Sequence, residues 1–517
     1  MSTQIRPNSL WVSFEDTNPF YGCYGDPVAR TPNLDLLAAQ GCRWPNTFAT
    51  AGVCAPARAA IITGMYPISV GTHHMRTAHT NKHTPEMPTP YSAVVPHYVK
   101  CFTEYLRTQG YYCTNNVKTD YQFQCPLTAW DECSTHAHWR NRPDPSQPFF
   151  AVFNLGKTHE SGMWPEKCPE VTYDPDTLPL PPTFPDTPKV REAMARMYTN
   201  ISHNDTLLGQ YLQQLQEDGL AENTVVFHWS DHGPLPRGKR WPYDSGVHVP
   251  MIVRWPGMLN EGTVDDRLLS TIDLGPTVLS VAGIDVPWHM QGRAFLGPQD
   301  TTPREYVYMS RDRYDESYDM VRAVRDKRYK YIRNYRPDLP YLLWIPYRNR
   351  HPIVQEMWRL HLRGELEGPK KLLLQTRRPV EELYDTENDP HETQNLAADP
   401  DFEKERGRLR RALDEWIDDV GDLGDIPESE MVRQWYPGGK QPTTAAPLVI
   451  PICNENPGTE PANRGTFQGP VMVQLHSATQ GASIAYAWGG GDTPRWQLYT
   501  APTQLPPGTS TVRAKAI

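Results

Sequence analysis

Four short apolar runs, at residues 10–14, 111–114, 149–155 and 225–229, each give way within a few positions to side chains capable of chemistry. Glu15 and Asp16 follow the first, Lys118 and Asp120 the second, Lys157 and His159 the third, Asp231 and His232 the fourth. Continuous apolar runs between helical stretches read as strands covered on both faces, the habit of a mostly parallel α/β sheet. In such sheets the ligand site lies beyond the carboxyl ends of the strands. Four reactive groups at four strand ends therefore imply one site. Between the runs, Val190, Met194, Met197, Ile201, Leu208, Leu212 and Leu215 recur at helical spacing ahead of Gly219 and predict a long helix over 190–215.

At 517 residues the chain is long enough for two or three domains with a large core. Its 51 Lys and Arg against 60 Asp and Glu give a net charge of −9, which argues against non-specific nucleic-acid or anionic-membrane binding. An anionic polymer substrate would have to meet local basic residues. Nine irregularly spaced cysteines without a CxxC pair do not form a disulfide framework. No export signal is read at the N-terminus, so the expected location is the cytoplasm, with the periplasm or secretion open if a signal has been removed. No apolar run approaches bilayer length, and the mean hydropathy is −0.62.

The texture changes along the chain. Residues 1–300 read as the α/β domain, and 301–436 as a smaller α+β subdomain with basic strands at 321–325 and 329–333 and a charged helix at 402–420. A Pro/Gly/Asn-rich stretch, 437–464, reads as a linker. Short alternating runs at 471–475, 481–486 and 508–514 then predict a small β-sandwich over 465–517, with part of that module expected to be missing.

The most specific chemistry lies in Cys54-Ala55-Pro56-Ala57-Arg58, continued by Ala59, Ala60, Ile61, Ile62, Thr63 and Gly64. Pro56 suits the first position of a helix that Gly64 can end. Cys54 then falls just outside the helix N-terminus, where free N–H groups favour a thiolate, an alkoxide or a bound oxyanion. A buried, inert cysteine is the plain alternative.

The full run resembles the maturation signature of the type I sulfatases of the alkaline-phosphatase-like superfamily, and the likeness extends over about residues 8–420. In that family the cysteine is oxidised to formylglycine, whose hydrate attacks sulfur. The resemblance implies an alkaline-phosphatase-like, mostly parallel sheet flanked by helices, and a formylglycine-generating enzyme as maturation partner. It implies one divalent cation held by Glu15, Asp16, Cys54, Asp231 and His232. Ca²⁺ is the expected ion, with Mn²⁺ or Zn²⁺ open because His232 offers a nitrogen and Glu15 replaces the more usual Asp. By the same resemblance Cys54, Arg58, Lys118, His159 and Lys239 are catalytic, with His159 protonating the leaving oxygen. His74, Arg76 and Asp120 are expected to contact substrate.

Here Val117-Lys118-Thr119-Asp120 lacks the histidine of the family's Gly-Lys-x-His motif, so Asp120 or a nearby histidine is expected to take its role. The segments Phe14-Glu15-Asp16, His73-His74-Met75-Arg76 and Ser230-Asp231-His232-Gly233 look most like the heparan N-sulfatase-like branch. The C-terminal segment resembles the β-sandwich appended to chitobiases and hexosaminidases. The expected activity is hydrolysis of sulfate esters, or of N-sulfate, on a sulfated oligosaccharide or polysaccharide. Two rivals stand beside it: a phosphonate monoester or phosphodiester hydrolase on the same fold, and a catalytically impaired sulfoglycan-binding protein.

Overall fold

The computed structural model describes residues 6–517 except 81, 463, 493 and 509. Its centre is an eight-stranded mixed sheet. From one edge to the other run Glu132–Cys133, Tyr112–Asn116, Phe149–Leu155, Asn8–Phe14, Thr224–Ser230, Met251–Arg254, Cys42–Arg43 and Thr263–Val264. The first five are mutually parallel, and Met251–Arg254 runs antiparallel to both of its neighbours.

The apolar runs form these strands because both faces are covered. Leu10, Val12 and Phe14 pack to one side with the helix Pro188–Glu217, whereas Trp11 packs to the other with Phe102, Phe150 and Trp229. That helix starts where the sequence places it, with Thr187 accepting a bond from Val190 N and Pro188 opening the first turn. Registers pair Phe14 with both Leu155 and Ser230, so the carboxyl ends of three central strands finish level. Whatever follows them is delivered to one edge of the sheet.

A second, four-stranded antiparallel sheet joins Val307–Arg311, Val321–Arg325, Tyr329–Asn334 and Glu381–Asp385. The helix Glu403–Val420 covers it through Leu409, Leu413 and Trp416, and the Trp416 ring stacks 4.8 Å from Tyr308. Beyond lie two three-stranded sheets, Leu448–Ile452 with Met472–His476 and Thr503–Gln504, and Gln497–Leu498 with Ile484–Trp488 and Val512–Ala516. The stretch expected as a linker thus supplies a strand, Leu448–Ile452, whose backbone finds partners in Met472–His476 despite the prolines nearby. Of the strand expected at 508–514, Thr509 lies outside the described residues, and the paired part is Val512–Ala516. Among the described residues no helix is long and apolar enough to cross a membrane.

One buried ion pair fastens the late helix Glu428–Trp435 to the body. Arg313 donates through Nε and Nη2 to both Glu428 oxygens at 2.6 Å, and the hydroxyls of Tyr91 and Tyr318 donate to the same carboxylate at 2.7 Å. Burial raises the Glu428 pKa, but Arg313 outweighs it and holds the carboxyl below its ordinary value. Glu428→Gln leaves a buried guanidinium without its counter-charge, a loss of about 3–5 kcal/mol. We expect a clear drop in the thermal unfolding midpoint at pH 7. The difference should shrink as acid carries the wild type down through the depressed pKa, because the pair's contribution is complete only above the unfolded-state value. Coincident melting curves at pH 7 would show that the pair contributes nothing.

Candidate active site

The helix Cys54–Thr63 is buried along its whole length, and Gly64 ends it in the left-handed conformation (φ 67°). Cys54 is its first residue rather than its outer neighbour, and Pro56 is third; the first amide bond runs from Ala57 N to Val53 O. Proline fits there because the first-turn amides have no intrahelical acceptor. Gly52 lets the chain enter the helix: a Cβ would lie 2.5 Å from the Trp241 carbonyl oxygen, on the loop that carries Lys239.

Around Cys54 the strand ends converge as the sequence implied. Asp16, Cys54, Asp231 and His232 place one ligand atom each within 4.8 Å of one another, all buried. His232 Nε2 lies 3.1 Å from Cys54 Sγ and 3.2 Å from Asp16 Oδ1. Burial alone would lower the pKa of His232, but facing Asp231, Asp16 and Cys54 pushes it up to about 9. Two carboxylates, one sulfur and one imidazole nitrogen make a donor set that fits a divalent cation.

Glu15 is the exception among the expected ligands and lies outside this group. Its longer side chain reaches Lys118, with Oε2 at 3.0 Å from Nζ. The site's other carboxylates are matched in the same way. Arg58 Nε donates to Asp231 at 2.9 Å, Lys239 to Asp16, and Arg240 bidentately to Glu160 at 2.8 and 3.0 Å. Each of these four carboxylates thus faces a fixed cation, so repulsion among them is not what would draw a metal in. A divalent cation would instead supply the net positive charge that an anionic ester meets. Burial raises and Arg58 lowers the Asp231 carboxyl, which ends far below its usual range.

Arg58 also donates from Nη1 to Asn154 at 2.8 Å, while its buried Nη2 has no partner. A donor is therefore left over one helical turn from Cys54. Lys118 lies close enough for Cys54 and Glu15 to raise its pKa against burial and Arg58. His159 Nδ1 lies 2.9 Å from Ser161 Oγ, while Nε2 is 3.5 Å from Lys239 Nζ, a group that can only donate, and 4.0 Å from Asp16. Burial and Lys239 lower its pKa.

The residues expected at substrate divide. Arg76 lines the cleft, with Asp120 3.9 Å away and itself 4.0 Å from Lys118. His74 does not reach the cleft. Its ring is buried behind it, Nδ1 accepting from Arg313 N at 3.3 Å, because the turn into Arg76 (φ 61°) aims the neighbouring side chain inward. Residues unread in the sequence, Glu160, Arg240, Asp315 and Tyr347, complete the cleft wall. Asp16, Arg76, Asp120, Arg240 and Asp315 all hold positive φ without being glycine, so backbone strain gathers at this place.

The sulfatase family profile matches residues 7–122 and 135–284, and a profile for the C-terminal part of N-sulphoglucosamine sulphohydrolase matches 232–344. The chain is 42% identical to an ulvan-active sulfatase of Formosa agariphila over 98% of its own length and 88% of that protein. It is 28% identical to the N-sulphoglucosamine sulphohydrolase of Homo sapiens, covering 80% of this chain and 90% of that one. In structure it resembles a phosphonate monoester hydrolase of Agrobacterium radiobacter, with a TM-score of 0.59 at 17% identity over 81% of this chain and 97% of that one. That last likeness shows a shared alkaline-phosphatase-like fold and nothing about the reaction. The long, high-identity match and the family profile carry the assignment: this chain belongs to the sulfatase family, enzymes that hydrolyse sulfate esters.

Proposed function

We propose that the chain removes O-sulfate from a sulfated polysaccharide of the ulvan type, using formylglycine made from Cys54 and one Ca²⁺ held by Asp16, Asp231, His232 and position 54. The grouping of Cys54 with Asp16, Asp231 and His232, beside a cleft that Cys54, His159 and Lys239 line, carries this reading. The 42% identical relative named as ulvan-active supports the substrate class. Formylglycine would supply a hydrated aldehyde oxygen as nucleophile, and the cation a charge favouring its ionised form. Conversion also replaces sulfur by oxygen at position 54, which leaves three oxygen donors and one nitrogen and favours a hard ion. Stoichiometric Mn or Zn without Ca in gently purified protein would overturn the choice of ion.

This chain's own residues do the rest. Arg58 Nη2, Lys118 and Lys239 offer donors to the non-bridging sulfate oxygens in a buried setting, where such bonds count most. His159 lines the cleft and in its protonated form can give a proton to the departing sugar oxygen. The missing motif histidine leaves Asp120, beside Lys118, as the acceptor for the proton released when sulfate departs.

The role of His159 has a specific consequence. A sugar alkoxide needs a proton to leave, whereas a nitrophenolate does not. His159→Ala is therefore expected to lower kcat on sulfated saccharide by about a hundred- to ten-thousandfold, and kcat on nitrophenyl sulfate far less. Equal losses on both substrates would remove the acid role and leave His159 a binding residue.

A further inference from the structure

The reaction cleft does not end at the reacting centre. A cavity of about 270 Å³ is lined by Cys54, His159, Lys239 and Tyr347, and a second of about 320 Å³ by Lys82, His83, Arg313 and Glu316. Arg76, His79 and Asp315 line both, so the two are one continuous trough. Two aromatic rings from a single loop flank it: Tyr347 lines the first cavity, and Trp344 borders the second through its contact with the lining residue His83. Tyr347, 38% exposed, rests 5.0 Å from Trp164 in the first cavity; Trp344, 51% exposed, meets His83 of the second edge-on at 5.7 Å. Exposed rings on the wall of a polar trough are an unfavourable surface unless something covers them. The apolar face of a pyranose suits a flat ring.

The charges of the second cavity are unevenly committed. Arg313 is held by Glu428, and Asp315 faces Arg240 at 3.4 Å and Arg76 at 3.8 Å. The ion pairs of Arg76, to Asp315 and Asp120, are too long for hydrogen bonds. Lys82 makes no ion pair among the described residues. The trough therefore offers two under-used cations, acids able to accept sugar hydroxyls, and a stacking face. From this we infer that the second cavity binds the neighbouring sugar of the polymer, one carrying its own negative charge, through Lys82, Arg76 and Trp344. This rests on the sulfatase reading and extends it from a single sulfated sugar to an oligosaccharide.

The test compares two substrates, a sulfated monosaccharide and a sulfated tetrasaccharide, both prepared from ulvan, with wild type, Lys82→Glu and Trp344→Ala. We expect wild type to prefer the tetrasaccharide by about tenfold or more in kcat/KM, the equivalent of ~1.4 kcal/mol. The preference should lie in KM, and each variant should lose most of it. No preference in wild type, or the same preference in both variants, overturns the inference. If no enzyme releases sulfate from either substrate, the sulfatase reading fails instead. Calorimetric titration with the tetrasaccharide then decides the trough: weaker binding by the variants supports it, and equal or absent binding overturns it.

Discussion

Cys54→Ser protein co-expressed with a formylglycine-generating enzyme should fold as the wild type does and retain less than about one-thousandth of its turnover, the scale of loss seen when a lone nucleophile is removed. Serine is nearly the same size, and its hydroxyl can meet His232 Nε2 where the sulfur now lies at 3.1 Å, so the buried helix start is undisturbed. What serine lacks is the second oxygen of a hydrated aldehyde, without which a sulfated nucleophile cannot expel sulfate. Peptide mass spectrometry checks the premise: wild type should show a loss of about 18 Da at the Cys54 peptide, the change from thiol to aldehyde that activating this nucleophile requires. Full turnover by the serine variant would refute the scheme, and so would an active wild type that keeps an unmodified thiol.

The parallel core was legible because periodicity and burial report the same thing there. A strand covered on both faces has to be apolar throughout, as residues 10–14 and 149–155 are, and the residue after such a strand has to sit at the sheet's carboxyl edge. That logic brought Asp16, Lys118, His159, Asp231 and His232 to one edge of the sheet, but it pointed equally to Lys157, which is exposed; their roles came from the family resemblance. It failed where side-chain length or backbone sign decides. Glu15 follows the strand as expected, but one extra methylene carries its carboxylate to Lys118. His74 lies two residues from Arg76, whose positive φ turns one of them to the cleft and the other to the core.

Glu160 and Arg240 were unread although each adjoins a residue that was read. Alone, either is an ordinary surface charge, and only the fold brings residues 80 apart into a bidentate pair. Tyr347 and Asp315 enter the cleft from the second half of the chain, where no strand end announces them. The strand Leu448–Ile452 was hidden for a related reason. Prolines and glycines around it read as a linker, but its partner Met472–His476 lies about twenty residues on, and pairing at that distance leaves no local trace.

Asp231→Ala should remove two functions at once. Its carboxylate receives Arg58 Nε at 2.9 Å and the backbone N–H groups of Asp16 and His232 at 3.1 Å, and it belongs to the four-donor group around Cys54. Deleting it takes one donor from the proposed cation site and leaves Arg58 buried with only Asn154 and distant charges to face. The first loss should lower turnover by about a thousandfold, comparable to removing a fixed electrostatic group from a transition-state site. The second should lower stability by about 3–5 kcal/mol, the penalty of stranding one member of a buried pair. These two losses are separable. Arg58→Met combined with Asp231→Leu removes both charges in matched volume, so it should recover most of the stability while turnover stays lost. Elemental analysis of both variants should show less than one equivalent of divalent cation. A single variant that keeps its full equivalent and its turnover would take Asp231 out of the metal site. A double variant no more stable than the single would mean that the Arg58–Asp231 pair is not what holds the helix start against the sheet.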